Sequence, residues 1–269
     1  MTEKKPPRKL LKKLALVFAA AGAVLGIGAG VMKMQPPAVV AVINPDTAAT
    51  PKITAAFNGK SWRELQQAAP KGDGHPVLVV PGFLTNDAYM STLQSRIREQ
   101  GYAVYGWDDG FNVGADKTVA GHLAARLKEI YAENGNKKVS LIGYSLGGVY
   151  ARELARQYPD MVRNVITLSS PFGLKDARVD SINGFYGGTA SPEATLAPPP
   201  VPTTAVYSRS DMVVDWRTAL NAKAPQAENI EVHGGHVLMP FNAEVTAVVL
   251  DRLAEADTRW QPLAAKFTP

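Results

Sequence analysis

The chain of 269 residues contains no cysteine. Disulfide bridges, thiolate metal sites and a cysteine nucleophile are therefore excluded, while the redox compartment stays open. Histidine is also scarce, with only His75, His122, His233 and His236 present, and no H-E-x-x-H pair occurs. A metal-dependent hydrolase thus lacks its ligand cluster, and neither a metal nor a cofactor is expected. A charged body is missing too. The net charge of +5 sits in the first thirteen residues, where Lys4, Lys5, Arg8, Lys9, Lys12 and Lys13 face only Glu3. The remainder is balanced, so no basic surface points to nucleic acid.

Long uncharged apolar runs are absent except for Leu14 to Met32. As a helix, that run would be about 28 Å long, close to the thickness of a bilayer core. Cleavable signals have shorter apolar regions, although small-residue triplets such as Ala21-Gly22-Ala23 suit a signal peptidase. The expectation is a single-pass membrane anchor, with secretion after cleavage as the alternative. The basic flank keeps the N-terminus inside and places the body on the non-cytoplasmic side. Gly22, Gly26 and Gly30 share one helix face. They form either a homodimer contact or a chance pattern in an Ala/Gly-rich stretch.

Three regions follow: a tail and transmembrane segment over 1–33, a proline-bearing linker over 34–60, and a folded domain over 61–269. Within the domain, strands and helices alternate. Strands are expected at Pro76 to Val80, Tyr102 to Trp107, Lys138 to Ile142, Val162 to Leu168, Thr203 to Tyr207 and Asn229 to Val232. Helices are expected at Ala88 to Gln100, Lys117 to Asn134, Leu146 to Tyr158 and Asn242 to Ala256. Repeated β-α units imply an α/β fold, a mainly parallel sheet with helices on both faces. Residues 176–202 break this rhythm with Gly184, Gly187, Gly188 and Pro198 to Pro200. A stretch of that length reads as a lid, and Phe185 and Tyr186 are its candidate substrate contacts.

The chemistry concentrates in Gly143-Tyr144-Ser145-Leu146-Gly147. This G-x-S-x-G pattern directly follows a strand and opens a helix, the setting of a nucleophile elbow. Ser145 is the candidate nucleophile, and the N–H of Leu146 faces the same space. Serine needs a base. His75 precedes the first strand, at the wrong edge of the sheet, and His122 lies within a helix. His233 and His236 follow the last strand, and His236, preceded by two glycines, is preferred. The acid is expected after the strand that ends at Tyr207. Asp211 is preferred there, because Asp215 has the alternative role of capping Trp216 to Leu220. Phe83, after Val80-Pro81-Gly82, is the second candidate oxyanion donor.

At these residues the chain resembles bacterial lipase- and esterase-like α/β-hydrolases with short lids. The matching stretches are GHPVLVVPGF, GYAVYGW, KVSLIGYSLGGVYARELA, VITLSSPF, VYSRSD and HGGH, within residues 75 to 250. The resemblance implies the α/β-hydrolase fold and the hydrolysis of an uncharged ester or lipid, with serine, acid and histidine matching Ser145, Asp211 and His236. Pro81 departs from it, because many relatives carry histidine before the glycine. Two other classes stay open: an acyltransferase using the same residues, and a non-catalytic binding protein on this fold.

Overall fold

The computed structural model describes residues 57, 59–114, 117–173, 197–255 and 260–267, all within the second of the two units into which the chain divides, Ala38–Pro269. The expected anchor with Gly22, Gly26 and Gly30, nearly all of the linker, and Phe185 and Tyr186 lie outside these residues. Among the described residues, no helix is long and apolar enough to cross a membrane.

The domain opens with a helix not anticipated as an element, α1 (Trp62–Ala68). Ser61 and Glu64 form a reciprocal capping box that satisfies free N–H groups at its start. Seven residues are too few to show a helical period. The alternating part then runs β1 (Pro76–Val80), α2 (Asp87–Glu99), β2 (Ala103–Gly106), α3 (Lys117–Glu133), β3 (Val139–Tyr144) and α4 (Leu146–Gln157). It continues through β4 (Val162–Leu168), β5 (Thr203–Tyr207), β6 (Ala227–Glu231) and α5 (Ala243–Ala254). Short 3-10 turns occupy Trp216–Ala219, His236–Phe241 and Leu263–Phe267.

All six strands pair in parallel, in the order β2-β1-β3-β4-β5-β6. Strand parity builds two cores. Val77, Val79, Ile142, Ile166 and Ile230 pack with Met90, Leu93 and Ile97 of α2 and Val245, Val248 and Val249 of α5. Leu78, Val80, Leu141, Val165 and Ala205 face the other way, onto Leu123, Leu127 and Ile130 of α3 and Val149 and Leu154 of α4. Successive strand side chains point to opposite faces, so unbroken apolar strands such as PVLVV require a helical layer on each side.

Three strands differ from expectation. Strand β3 runs two residues past Ile142, because Gly143 and Tyr144 still pair with Thr167 and Leu168 of β4. Strand β2 stops before Trp107, whose N–H turns to the Asp87 carboxylate at 3.3 Å. Strand β6 begins at Ala227, opposite Thr203, two residues earlier than the apolar pattern suggests. The chain moves outward from β1 to β2 and returns across β1 to β3. The carboxyl ends of β1 and β3 therefore border the crevice where open α/β sheets bind ligands.

Candidate active site

Ser145 stands at that crevice, immediately after β3 and before α4. Its backbone is left-handed, with φ 51° and ψ −122°. For a side chain larger than glycine this is a strained conformation. It is held by the Ser145 N–H, which donates to the Leu168 carbonyl at 2.8 Å. Two glycines make so sharp a turn feasible. A Cβ on Gly143 would lie 2.3 Å from Gly148 Cα, and one on Gly147 would lie 2.4 Å from the Val80 carbonyl oxygen. Both neighbours are backbone, so nothing larger than hydrogen fits.

The structure brings Ser145, His236 and Asp211 into one line. Ser145 Oγ lies 3.1 Å from His236 Nε2, and His236 Nδ1 lies 2.7 Å from Asp211 Oδ2. The second carboxylate oxygen, Oδ1, accepts N–H bonds from Val213 at 2.8 Å and Val214 at 2.9 Å. Burial opposes the charge on Asp211 more than any other influence. The hydrogen bond and charge of His236, with those two N–H groups, together outweigh it and hold the carboxyl below its usual range. Ser145 itself is partly exposed, so the line ends at solvent.

The proposed alternatives go elsewhere. Asp215 accepts the Arg217 N–H at 3.1 Å and caps the 3-10 turn Trp216–Ala219, its expected bland role. His233 has an exposed side chain, with Nδ1 3.6 Å from Glu244. His122 Nε2 meets the Trp107 carbonyl at 3.0 Å.

His75 offers a useful contrast, because it sits in a second serine-histidine-aspartate line at the opposite edge of the sheet. Its Nδ1 is 2.5 Å from Asp73 and its Nε2 is 2.9 Å from Ser140 Oγ. Ser140 is fully buried within β3. The spacing alone resembles that of the Ser145 line, but no substrate reaches Ser140. Access and the left-handed turn distinguish the two.

The Phe83 segment packs directly on the serine. A Cβ on Gly82 would lie 2.9 Å from Ser145 Cβ. The Gly82 carbonyl accepts both the N–H and the hydroxyl of Thr85, at 3.0 and 2.7 Å, and Leu84 is left-handed with φ 57°. Buried Asn112 secures this turn from outside. Its Nδ2 donates to the Pro81 carbonyl at 2.9 Å, and its own carbonyl accepts the Leu84 N–H at 2.7 Å. The Pro81 departure thus sits on a braced loop. Leu146 is the first residue of α4, and the N–H at such a position is not used by the helix.

A family model described as the alpha/beta hydrolase fold matches residues 56–189. The chain carries the α/β-hydrolase fold and is similar in sequence to lipases of that fold. Among curated relatives of this α/β-hydrolase, a triacylglycerol lipase of Pseudarthrobacter phenanthrenivorans is 32% identical over 110 residues, covering 36% of this chain and 33% of the lipase. The poly(3-hydroxyalkanoate) polymerase subunit PhaC of Allochromatium vinosum is 29% identical over 145 residues, covering 48% of this chain and 41% of that protein. The α/β-hydrolase thus spans about a third to two-fifths of the length of these relatives. Among solved structures, lipase B of Aspergillus fumigatus superposes with a TM-score of 0.55 at 16% identity, covering 74% of this chain and 58% of the lipase. That likeness concerns the fold.

Several residues around the line carry no sequence signal. Glu244 of α5 accepts the His233 N–H at 3.1 Å, and Asn242 Nδ2 donates to the His233 carbonyl at 2.5 Å. Ser210 Oγ donates to the Gly234 carbonyl at 3.2 Å, tying the loop of Asp211 to the loop of His236. Only the fold joins positions so distant in the chain.

Proposed function

We propose that this protein is a serine hydrolase that cleaves carboxylic esters through an acyl-enzyme. The observation that carries the proposal is the continuous line from Ser145 through His236 to Asp211, ending on a partly exposed, left-handed serine. His236 Nε2 takes the Ser145 hydroxyl proton as Oγ attacks the ester carbonyl. Asp211, kept ionised, holds the Nδ1–H tautomer and stabilises the imidazolium. The N–H groups of Leu146 and Phe83 receive the oxyanion, assisted by the N-terminus of α4. The imidazolium returns its proton to the departing alcohol. His236 then activates a water, which releases the acid and restores Ser145.

The surroundings support a substrate class for this reading. The large exposed apolar side chains among the described residues are Phe111, Val113, Met212, Val213 and Leu238. They occupy loops after β2, β5 and β6, at the same end of the sheet as Ser145. Such a rim favours an uncharged acyl ester, with Phe185 and Tyr186 as further apolar contacts. A panel of p-nitrophenyl esters of rising chain length tests this. Turnover is expected, and replacing residues 181–196 by a Gly/Ser linker should change the chain-length profile. No turnover and no labelling by a fluorophosphonate would refute the proposal.

The resemblance to a polymerase subunit favours one second reading, acyl transfer to an alcohol in place of water. Product analysis with added alcohol separates the two. We further propose that the segment Leu14 to Met32 holds the body at the non-cytoplasmic face of a membrane, where it meets lipid-like esters, with Gly22, Gly26 and Gly30 as its pairing face. N-terminal sequencing of the membrane fraction checks retention; a soluble product starting after Ala23 would refute it.

A further inference from the structure

His236 sits at the start of the 3-10 turn His236–Phe241, and that turn contains Pro240. In a 3-10 helix, each carbonyl accepts the N–H three residues on. Residue 240 has no N–H to give to the Val237 carbonyl, because proline lacks a donor. A carbonyl partly withdrawn from water, as at half-buried Val237, is costly to leave without a partner. Here the missing donor is supplied from α2: the Tyr89 hydroxyl donates to the Val237 carbonyl at 2.5 Å. The adjacent carbonyl, that of His236 itself, accepts the Tyr144 hydroxyl at 3.1 Å. The two tyrosine rings stack with centroids 5.9 Å apart and an interplanar angle of 24°.

Tyr144 also touches the other parts of the site. It immediately precedes Ser145, and its ring centroid lies 5.2 Å from that of His236. A Cβ on Gly82 would come 2.9 Å from its Cδ1, so the ring also supports the turn that presents Phe83. One buried side chain thus spans the serine elbow, the candidate oxyanion turn and the histidine backbone. Burial drives its hydroxyl far above the usual tyrosine range, so it remains a proton donor to that carbonyl at any working pH.

We infer that Tyr144 and Tyr89 are positioning residues, a paired hydroxyl clamp that fixes the backbone of His236 and so aims Nε2 at Ser145. This inference rests on the proposed serine mechanism. Both hydroxyls bond to backbone carbonyls, so both act through the placement of the histidine.

The test uses the full chain carrying Tyr144→Phe, Tyr89→Phe or both. Phenylalanine keeps the ring packing and removes only the hydroxyl. Each single variant should retain its fold by circular dichroism and lose about tenfold in kcat, because a displacement of about 1 Å costs up to about 10²-fold. KM should stay within about twofold, and the proton NMR signal of the His236 Nδ1–H should broaden. The double variant should lose less than the product of the singles, because both hydroxyls hold one turn. Single variants with kcat within about twofold of wild type and a sharp Nδ1–H signal would overturn the clamp. A wild type without ester turnover would instead defeat the mechanism, while the Nδ1–H signal would still decide whether the hydroxyls order His236.

Discussion

Ser145→Ala should abolish ester turnover, lowering kcat on the order of 10⁶-fold, the scale seen where nucleophile and base act as one unit. The expectation follows from the geometry at one atom. Oγ is the atom 3.1 Å from His236 Nε2, and the alternative Ser140 is sealed inside the sheet. Alanine fits the same left-handed backbone about as well as serine does, and the Ser145 N–H bond to the Leu168 carbonyl is unaffected. The variant should therefore fold, and the loss can be assigned to chemistry. A fluorophosphonate should label the wild type at Ser145 and leave the variant unlabelled. Equal labelling of both proteins would move the nucleophile elsewhere.

The second large effect is a ranking. His236→Ala should be nearly as damaging as Ser145→Ala, while His233→Ala should stay within about tenfold of wild type. His233 contributes backbone atoms to the Glu244 and Asn242 contacts, and alanine keeps those atoms. Asp211→Asn should cost about 10⁴-fold in kcat, because an amide presents the wrong partner to Nδ1 and the wrong tautomer results. Asp215→Asn should cost little, because asparagine also caps a helical turn. Steady-state kinetics on one short-chain ester measure all four. A reversed order in either pair would reassign that role.

Much of this arrangement was legible before any coordinates. The apolar run PVLVV marked a buried parallel strand, because only a strand covered on both faces tolerates five such residues in succession. The G-x-S-x-G turn was informative for its position between a strand and a helix. Chain order then placed acid and base after late strands, and Asp211 and His236 are the pair that the structure sets 2.7 Å apart. What stayed hidden has a common cause. Tyr144 and Tyr89 lie 55 positions apart, and Asn112 braces a loop some 30 residues upstream. A side chain that spends its polar atom on a distant backbone carbonyl leaves no local pattern. The same applies to α1, which one capping box and a few packed residues define. His75 gives the converse lesson: residue types and spacing that fit a hydrolase occur where no substrate can enter.

The left-handed turn at Ser145 also has a bearing on how stability is distributed over the molecule. A non-glycine residue in a sparsely populated backbone region costs about 1–3 kcal/mol, while a whole domain is typically held by about 5–15 kcal/mol. A single residue thus carries a debt comparable to a sizeable fraction of the total, and its side chain cannot relax without withdrawing from the crevice. The turn persists because its surroundings outvote it: Gly143 and Gly147 jam against backbone, and the Leu168 carbonyl holds the Ser145 amide. Both flanking strands, β1 and β4, are hydrogen-bonded on each side and covered by the two apolar layers. The sheet centre therefore acts as a vice: its rigidity lets Ser145, the proposed nucleophile, keep a strained conformation.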